Sequence, residues 1–113
     1  TTYMMGGTAN AALINFTKAL ADLAARDGIL VTGVSPGPVK TERWETLLKQ
    51  QAQAAGQDVF TFEKARAAEL PLGRIALPEE VGDLICFLAA ARATFLTGIT
   101  ITVDGGITRG VYL

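Results

Sequence analysis

Whatever chemistry this chain performs, it performs without histidine. That absence excludes a Ser-His-Asp triad, a Cys-His dyad and an imidazole-ligated zinc centre. The one cysteine, Cys86, forms no intramolecular disulfide or cysteine cluster, and no metal site is expected. Cys86 stands between Ile85 and Phe87, a setting that predicts a buried thiol rather than a nucleophile. Gly6-Gly7 and Gly105-Gly106 have neither the spacing nor the strand-to-helix setting of a dinucleotide phosphate loop. The stiffest stretch is Ser35-Pro36-Gly37-Pro38, where two prolines flank a glycine and little backbone freedom is left to lose.

The elements that must position these residues alternate between helix and strand. Ala9, Ala12, Leu13, Phe16, Leu20 and Leu23 recur at spacings of three and four, which predicts a helix over 8–26. Gly28 follows where a left-handed C-terminal residue is wanted. The apolar run 29–34 predicts a strand covered on both faces of a parallel sheet. From Glu42 to about Leu70 the spacing predicts two short, loosely packed helices separated near Gly56-Gln57-Asp58. That stretch reads either as a lid or substrate loop or as a surface hairpin. Pro78-Glu79-Glu80 opens another helix, whose buried face is Val81, Leu84, Ile85, Leu88 and Ala89. Ile99 to Val103 is a β-branched strand, ended by Asp104-Gly105-Gly106.

The composition fits an ordinary globular domain: 113 residues, half of them hydrophobic, with a net charge of −1. Ten basic residues spread along the chain do not make a nucleic-acid surface. No apolar stretch approaches the ~20 residues that span a membrane, and no signal peptide opens the chain. A cytoplasmic protein with neither a nucleic-acid nor a membrane partner is expected. The opening Thr1-Thr2-Tyr3, entering a helical pattern almost at once, reads as the start of a piece of something larger.

In this order the chain resembles the C-terminal half of a short-chain dehydrogenase/reductase. The matching pieces are Asn10-Ala11-Ala12-Leu13, Gly28-Ile29-Leu30-Val31, Pro36-Gly37-Pro38-Val39-Lys40-Thr41 and Pro71-Leu72-Gly73-Arg74. Pro78-Glu79-Glu80-Val81, Phe87-Leu88-Ala89, Thr97-Gly98 and Val103-Asp104-Gly105-Gly106 follow. The resemblance implies an α/β architecture: the C-terminal part of a doubly wound parallel-sheet, Rossmann-type fold with helices on both faces. It also implies hydride transfer between NAD or NADP and a carbonyl or alcohol carbon. On this reading residues 1–113 are one segment of a single domain, 42–70 is its variable substrate loop, and the dinucleotide-binding half lies elsewhere.

The same resemblance places Pro36, Gly37, Val39 and Thr41 against the nicotinamide half of the cofactor. Such loops leave the carboxyl ends of parallel strands, where ligands of these sheets bind. The Val39 amide would bond the carboxamide, and the Thr41 hydroxyl the carboxamide or a phosphate. The plainer alternative is a rigid loop that only joins strand to helix. Trp44, Leu47, Leu48, Phe60 and Phe62 would wall an apolar substrate pocket, or simply anchor their helices.

The family's proton-transfer motif, Tyr-x-x-x-Lys, is altered. Asn10 holds the lysine position, and four residues back stands Gly6. Tyr3, seven residues before Asn10, is the nearest phenol, about one helical turn beyond the ordinary place. A tyrosine with a pKa near ~10 is a poor base unaided, and Asn10 carries no charge to help it. Asn10 can still bond a ribose hydroxyl. Two readings stay open: a divergent oxidoreductase with Tyr3 and Asn10 as its catalytic pair, or a non-catalytic nucleotide-binding or oligomerisation protein. The 113 residues alone are expected to be inactive. Leu84, Leu88, Ile101 and Val103 supply apolar material for a homodimer or homotetramer, or else for the core of one subunit.

Overall fold

A computed structural model describes residues 4–110. The elements are helix α1 (Met4–Ala24), a 3₁₀ turn (Ala25–Asp27), strand β1 (Thr32–Pro36), helices α2 (Glu42–Ala54), α3 (Val59–Ala68) and α4 (Pro78–Ala89), and strand β2 (Ile99–Val103). They divide into two compact units, Thr1–Ser35 with Leu84–Thr102, and Pro36–Asp83 with Val103–Leu113.

In the first unit α1 runs unbroken from Met4, ahead of the start expected at residue 8. Gly6-Gly7 weakens the helix but, unlike proline, leaves its hydrogen-bond ladder intact. The chain then tightens into the 3₁₀ turn and stops at Gly28, whose φ of 72° is the left-handed cap its position called for.

The strand expected over 29–34 forms instead over Thr32–Pro36. Its partner decides the register. Gly98 N donates to Val31 O at 2.8 Å, and Gly37 N closes the far end on Val103 O at 2.9 Å. Ile29 and Leu30 precede the first of these bonds and lie exposed. Pro36, which has no N–H to give, sits at the strand's end, where it is tolerated. Because both strands ascend together along the ladder, the pair is parallel and the class α/β.

Burial in this unit is slight. Thr17 and Ala21 are the buried residues of α1, and Ala21 with Lys18 backs onto Gly98. The apolar stripe of α1 faces outward: Leu13 is 62%, Phe16 58% and Leu23 75% exposed. The face of α4 expected to be buried is covered only in part: Val81, Leu84 and Leu88 are half-buried, whereas Ile85 and Ala89 are exposed. Cys86 is likewise exposed, not the buried thiol its neighbours suggested. Apolar neighbours imply burial only where another element faces them, and among the described residues none covers Cys86.

The second unit begins with α2, capped by Thr41, and α3, capped by Asp58, separated as expected around Gly56. Thr61 N donates to Asp58 Oδ1 at 3.0 Å, and hydrogen bonding from Thr61 holds that carboxyl below its ordinary range. The two helices pack on each other. Leu48 and Ala52 anchor α2 in a core that includes Leu70 and Ile75, whereas α3 contributes no buried residue. Contrary to expectation, the 42–70 stretch is not packed less firmly than the flanking elements: α2 buries two residues, whereas α3, like α4, buries none.

Candidate functional site

Pro36, Gly37, Val39 and Thr41 lie on one short path leaving the carboxyl end of β1. Each stage of that path is fixed by a different contact. At Gly37 a Cβ would sit 2.8 Å from both the Cα and the Cβ of Asp104. The glycine is therefore required by close backbone packing on the turn that follows β2. Asp104 is itself held: its carboxylate accepts from Gly106 N and Thr108 N, both at 2.9 Å. Hydrogen bonding from Thr108, and less so from Gly106, keeps this carboxyl below the usual aspartate range.

Val39 forms an isolated parallel bridge with Ala76. The bonds of that bridge belong to its neighbours: Lys40 N donates to Ala76 O at 2.8 Å, and Ala76 N to Pro38 O at 3.2 Å. Alternation along an extended backbone turns Val39's own N–H to the opposite side. Among the described residues no protein acceptor meets it. Thr41 ends the path as the N-cap of α2, its Oγ1 accepting from Trp44 N at 3.3 Å. The hydroxyl proton remains to be donated. Trp44 also holds a buried indole N–H that has no partner among the described residues.

The segment that receives this loop carries two residues that the sequence motifs include but to which no site role was given, Arg74 and Glu80. Arg74 grips Glu80 through two parallel bonds, Nη1 to Oε2 at 2.7 Å and Nη2 to Oε1 at 2.6 Å. Glu80 Oε2 also accepts from Leu77 N at 2.8 Å, which satisfies a free donor at the start of α4. Arg74 and then the Leu77 amide push the Glu80 carboxyl down to about 2, and Glu80 raises the Arg74 guanidinium. The available signal was a glutamate at the third position of a helix opened by Pro78. A cavity of about 90 Å³ lies among Pro38, Leu72, Arg74, Glu80 and Asp104. The loop also reaches α3 through Lys40 Nζ and Glu63 Oε1, 3.5 Å apart.

Asn10 is exposed on α1, in the first unit. Tyr3 lies outside the described residues. Leu48 belongs to the core of the second unit, Leu47 lines a groove with Arg43 and Gln50, and Phe60 lines a separate one with Lys64 and Leu77. Leu84, Leu88, Ile101 and Val103 are half-buried. Among the described residues no cluster of histidine, cysteine or carboxylates is fit to hold a metal, and no helix is long and apolar enough to cross a membrane.

Comparison with known proteins follows the same lines. A family model described as enoyl-(acyl carrier protein) reductase matches residues 1–108. Oxidoreductase UcpA of Escherichia coli O157:H7 is 41% identical over 98 residues, covering 87% of this chain and 36% of that protein. The crystal structure of a short chain dehydrogenase family protein from Francisella tularensis superposes with a TM-score of 0.83 at 36% identity, covering 86% of this chain and 40% of that one. L-sorbose reductase from Gluconobacter frateurii, complexed with NADPH and L-sorbose, superposes at 0.83 with 34% identity, covering 89% and 39%. The chain thus spans well under half the length of the curated relatives it matches.

Proposed function

The chain belongs to the short-chain dehydrogenase/reductase family, and on that premise we propose that it is the C-terminal segment of an NAD(P)-dependent oxidoreductase domain. The observation that carries this reading is the Val39 amide. It stands at the carboxyl end of a parallel strand, turned away from the bridge its neighbours make, and is available to a carboxamide acceptor. Thr41 adds a hydroxyl donor two residues on, and Pro36 with Gly37 fixes the approach. These groups fit the nicotinamide end of a dinucleotide. When bound, the cofactor supplies or takes the hydride exchanged with a carbonyl or alcohol carbon. This chain's share is to hold and orient that end.

Proton transfer falls to Tyr3, with Asn10 bonding the ribose. The substrate in this reading is a small carbonyl or alcohol compound. Leu47 and Phe60, exposed along the 42–70 stretch, favour one with apolar character. The setting is a cytoplasmic homodimer or homotetramer, for which Leu84, Leu88, Ile101 and Val103, all half-buried, offer apolar contact material. The segment by itself is inactive, because the phosphate-binding half of the domain lies outside it.

A second reading is favoured by one observation: Asn10 and Gly6 stand where the family's lysine and tyrosine would be. It makes the protein a nucleotide binder without the family's ordinary catalysis. Titration of the full-length protein with NADH and with NADPH, followed by fluorescence, tests the part common to both. Micromolar binding of either is expected, and binding of neither overturns both. Turnover on a panel of carbonyl substrates then separates them.

A further inference from the structure

We infer that Arg74 and Glu80 act as positioning residues for the nicotinamide, setting the place of the Val39 amide without touching the cofactor themselves. The inference rests on the functional reading above and concerns residues that reading does not use. Val39 has no anchor of its own. Its position is set by Pro38 and Lys40, and both are bonded to one residue, Ala76. Where Ala76 sits therefore decides where the Val39 N–H points.

Ala76 is fixed from both sides by a single carboxylate. Two residues before it, Arg74 closes a two-bond fork on Glu80; one residue after it, the Leu77 N–H bonds the same Glu80. Glu80 lies on the first turn of α4, so segment 74–77 is tied to a helix at two points that bracket Ala76. A planar guanidinium meeting a carboxylate through two parallel bonds fixes orientation as well as distance, which a lysine's single point charge does not. The pair is partly solvated, at 53% and 38% side-chain exposure, and such ion pairs add little to global stability. What the fork supplies is geometry. Misplacing a binding group by ~1 Å can cost a large factor in affinity or rate.

The test compares full-length wild-type protein with Arg74→Lys and Glu80→Gln. The first keeps the charge and loses the fork; the second keeps an acceptor for Leu77 N and loses the charge. Two readouts are taken: amide hydrogen exchange at Lys40 and Ala76, and affinity for NADH and NADPH by fluorescence titration. In both variants exchange at these two amides is expected to accelerate. Cofactor affinity is expected to fall about tenfold, and exchange in the α2 core at Leu48 and Ala52 to stay unchanged. Arg74→Lys is expected to retain more affinity than Arg74→Met, the partial rescue a positioning role requires. Unchanged exchange at Lys40 and Ala76, or unchanged affinity, overturns the inference. So does equal acceleration at Leu48 and Ala52, which would make the fork a prop for the whole unit. If the wild-type protein binds neither nucleotide, the functional reading fails instead, and the exchange data alone decide whether the fork sets the loop.

Discussion

Gly37 packs against Asp104 so closely that a single added carbon would fall 2.8 Å from both its Cα and its Cβ. The stiff loop after β1 and the Asp-Gly-Gly turn after β2 therefore meet backbone to backbone. Asp104 cannot swing aside, because its carboxylate is already bonded to Gly106 N and Thr108 N. Gly37→Ala should destabilise the protein by about 1–3 kcal/mol, the usual range for overpacking against a rigid neighbour. Gly7→Ala is the internal control. It lies inside α1 with none of the described residues within 4 Å of a new Cβ, so it should gain about 0.5–1 kcal/mol. Denaturant unfolding of the two variants in the full-length protein checks the contrast; a harmless Gly37→Ala would contradict the packing described.

The Glu80 carboxyl, pushed down to about 2 by Arg74 and the Leu77 amide, makes a pH-dependent contribution of definite sign. A carboxylate whose folded pKa lies below its unfolded one stabilises the fold above the unfolded value and loses that contribution as pH falls toward the folded one. The window here runs from its ordinary value of 4.5 down to about 2. Because the pair is partly solvated, wild-type protein should melt only slightly higher than Glu80→Gln at pH 7, and that small gap should narrow steadily below pH 4.5. Melting curves at pH 7, 5, 4 and 3 measure it. A gap independent of pH would mean that charge on Glu80 contributes nothing.

Thr41 has two duties that substitution can separate. As the N-cap of α2 it accepts from Trp44 N, and as a cofactor-side hydroxyl it would donate a proton. Thr41→Val should cost about 0.5–1 kcal/mol, the lower part of the capping range, given the 3.3 Å bond. Thr41→Asp restores the cap but sets a negative charge beside the proposed nucleotide. Its stability should return to near wild type while affinity for NADH and NADPH falls well below that of Thr41→Val. Equal affinities in the two variants would leave Thr41 only its capping role.

Much of this architecture was legible because its signals are local. Gly28 ends α1 and its 3₁₀ turn, Gly56 lies in the break between α2 and α3, and Pro78-Glu79-Glu80 opens α4, whereas the caps at Thr41 and Asp58 emerge only in the structure. The register of β1 was not legible, because Val31 and Gly37 take their ladder bonds from Gly98 and Val103, far along the chain. Neither was the Val39–Ala76 bridge, nor the Arg74–Glu80 fork across a turn of irregular backbone, since no periodicity relates those positions. Cys86 misled for another reason, and the α1 stripe shows the same thing. An apolar pattern states which face seeks cover, and among the described residues Leu13, Phe16 and Leu23 have not found it.

The proton-transfer site yields the sharpest chemical prediction, because it turns on one missing charge. Asn10 is exposed on α1, so a lysine there meets no steric obstacle from a packed core. A positive charge near a phenol lowers its pKa by favouring the phenolate. If Tyr3 works with Asn10, then Asn10→Lys should move the basic rise of the rate to lower pH and increase turnover near neutrality. Tyr3→Phe should cut turnover by about 10²–10⁴, the usual share of general acid–base catalysis, while leaving affinity for NADH or NADPH near wild type. The readout is a pH–rate profile of the full-length protein and both variants on an active carbonyl substrate. Unchanged turnover in Tyr3→Phe removes Tyr3 from the chemistry. A profile unmoved by Asn10→Lys removes the coupling between the two positions, and the non-catalytic reading gains where neither change alters a rate.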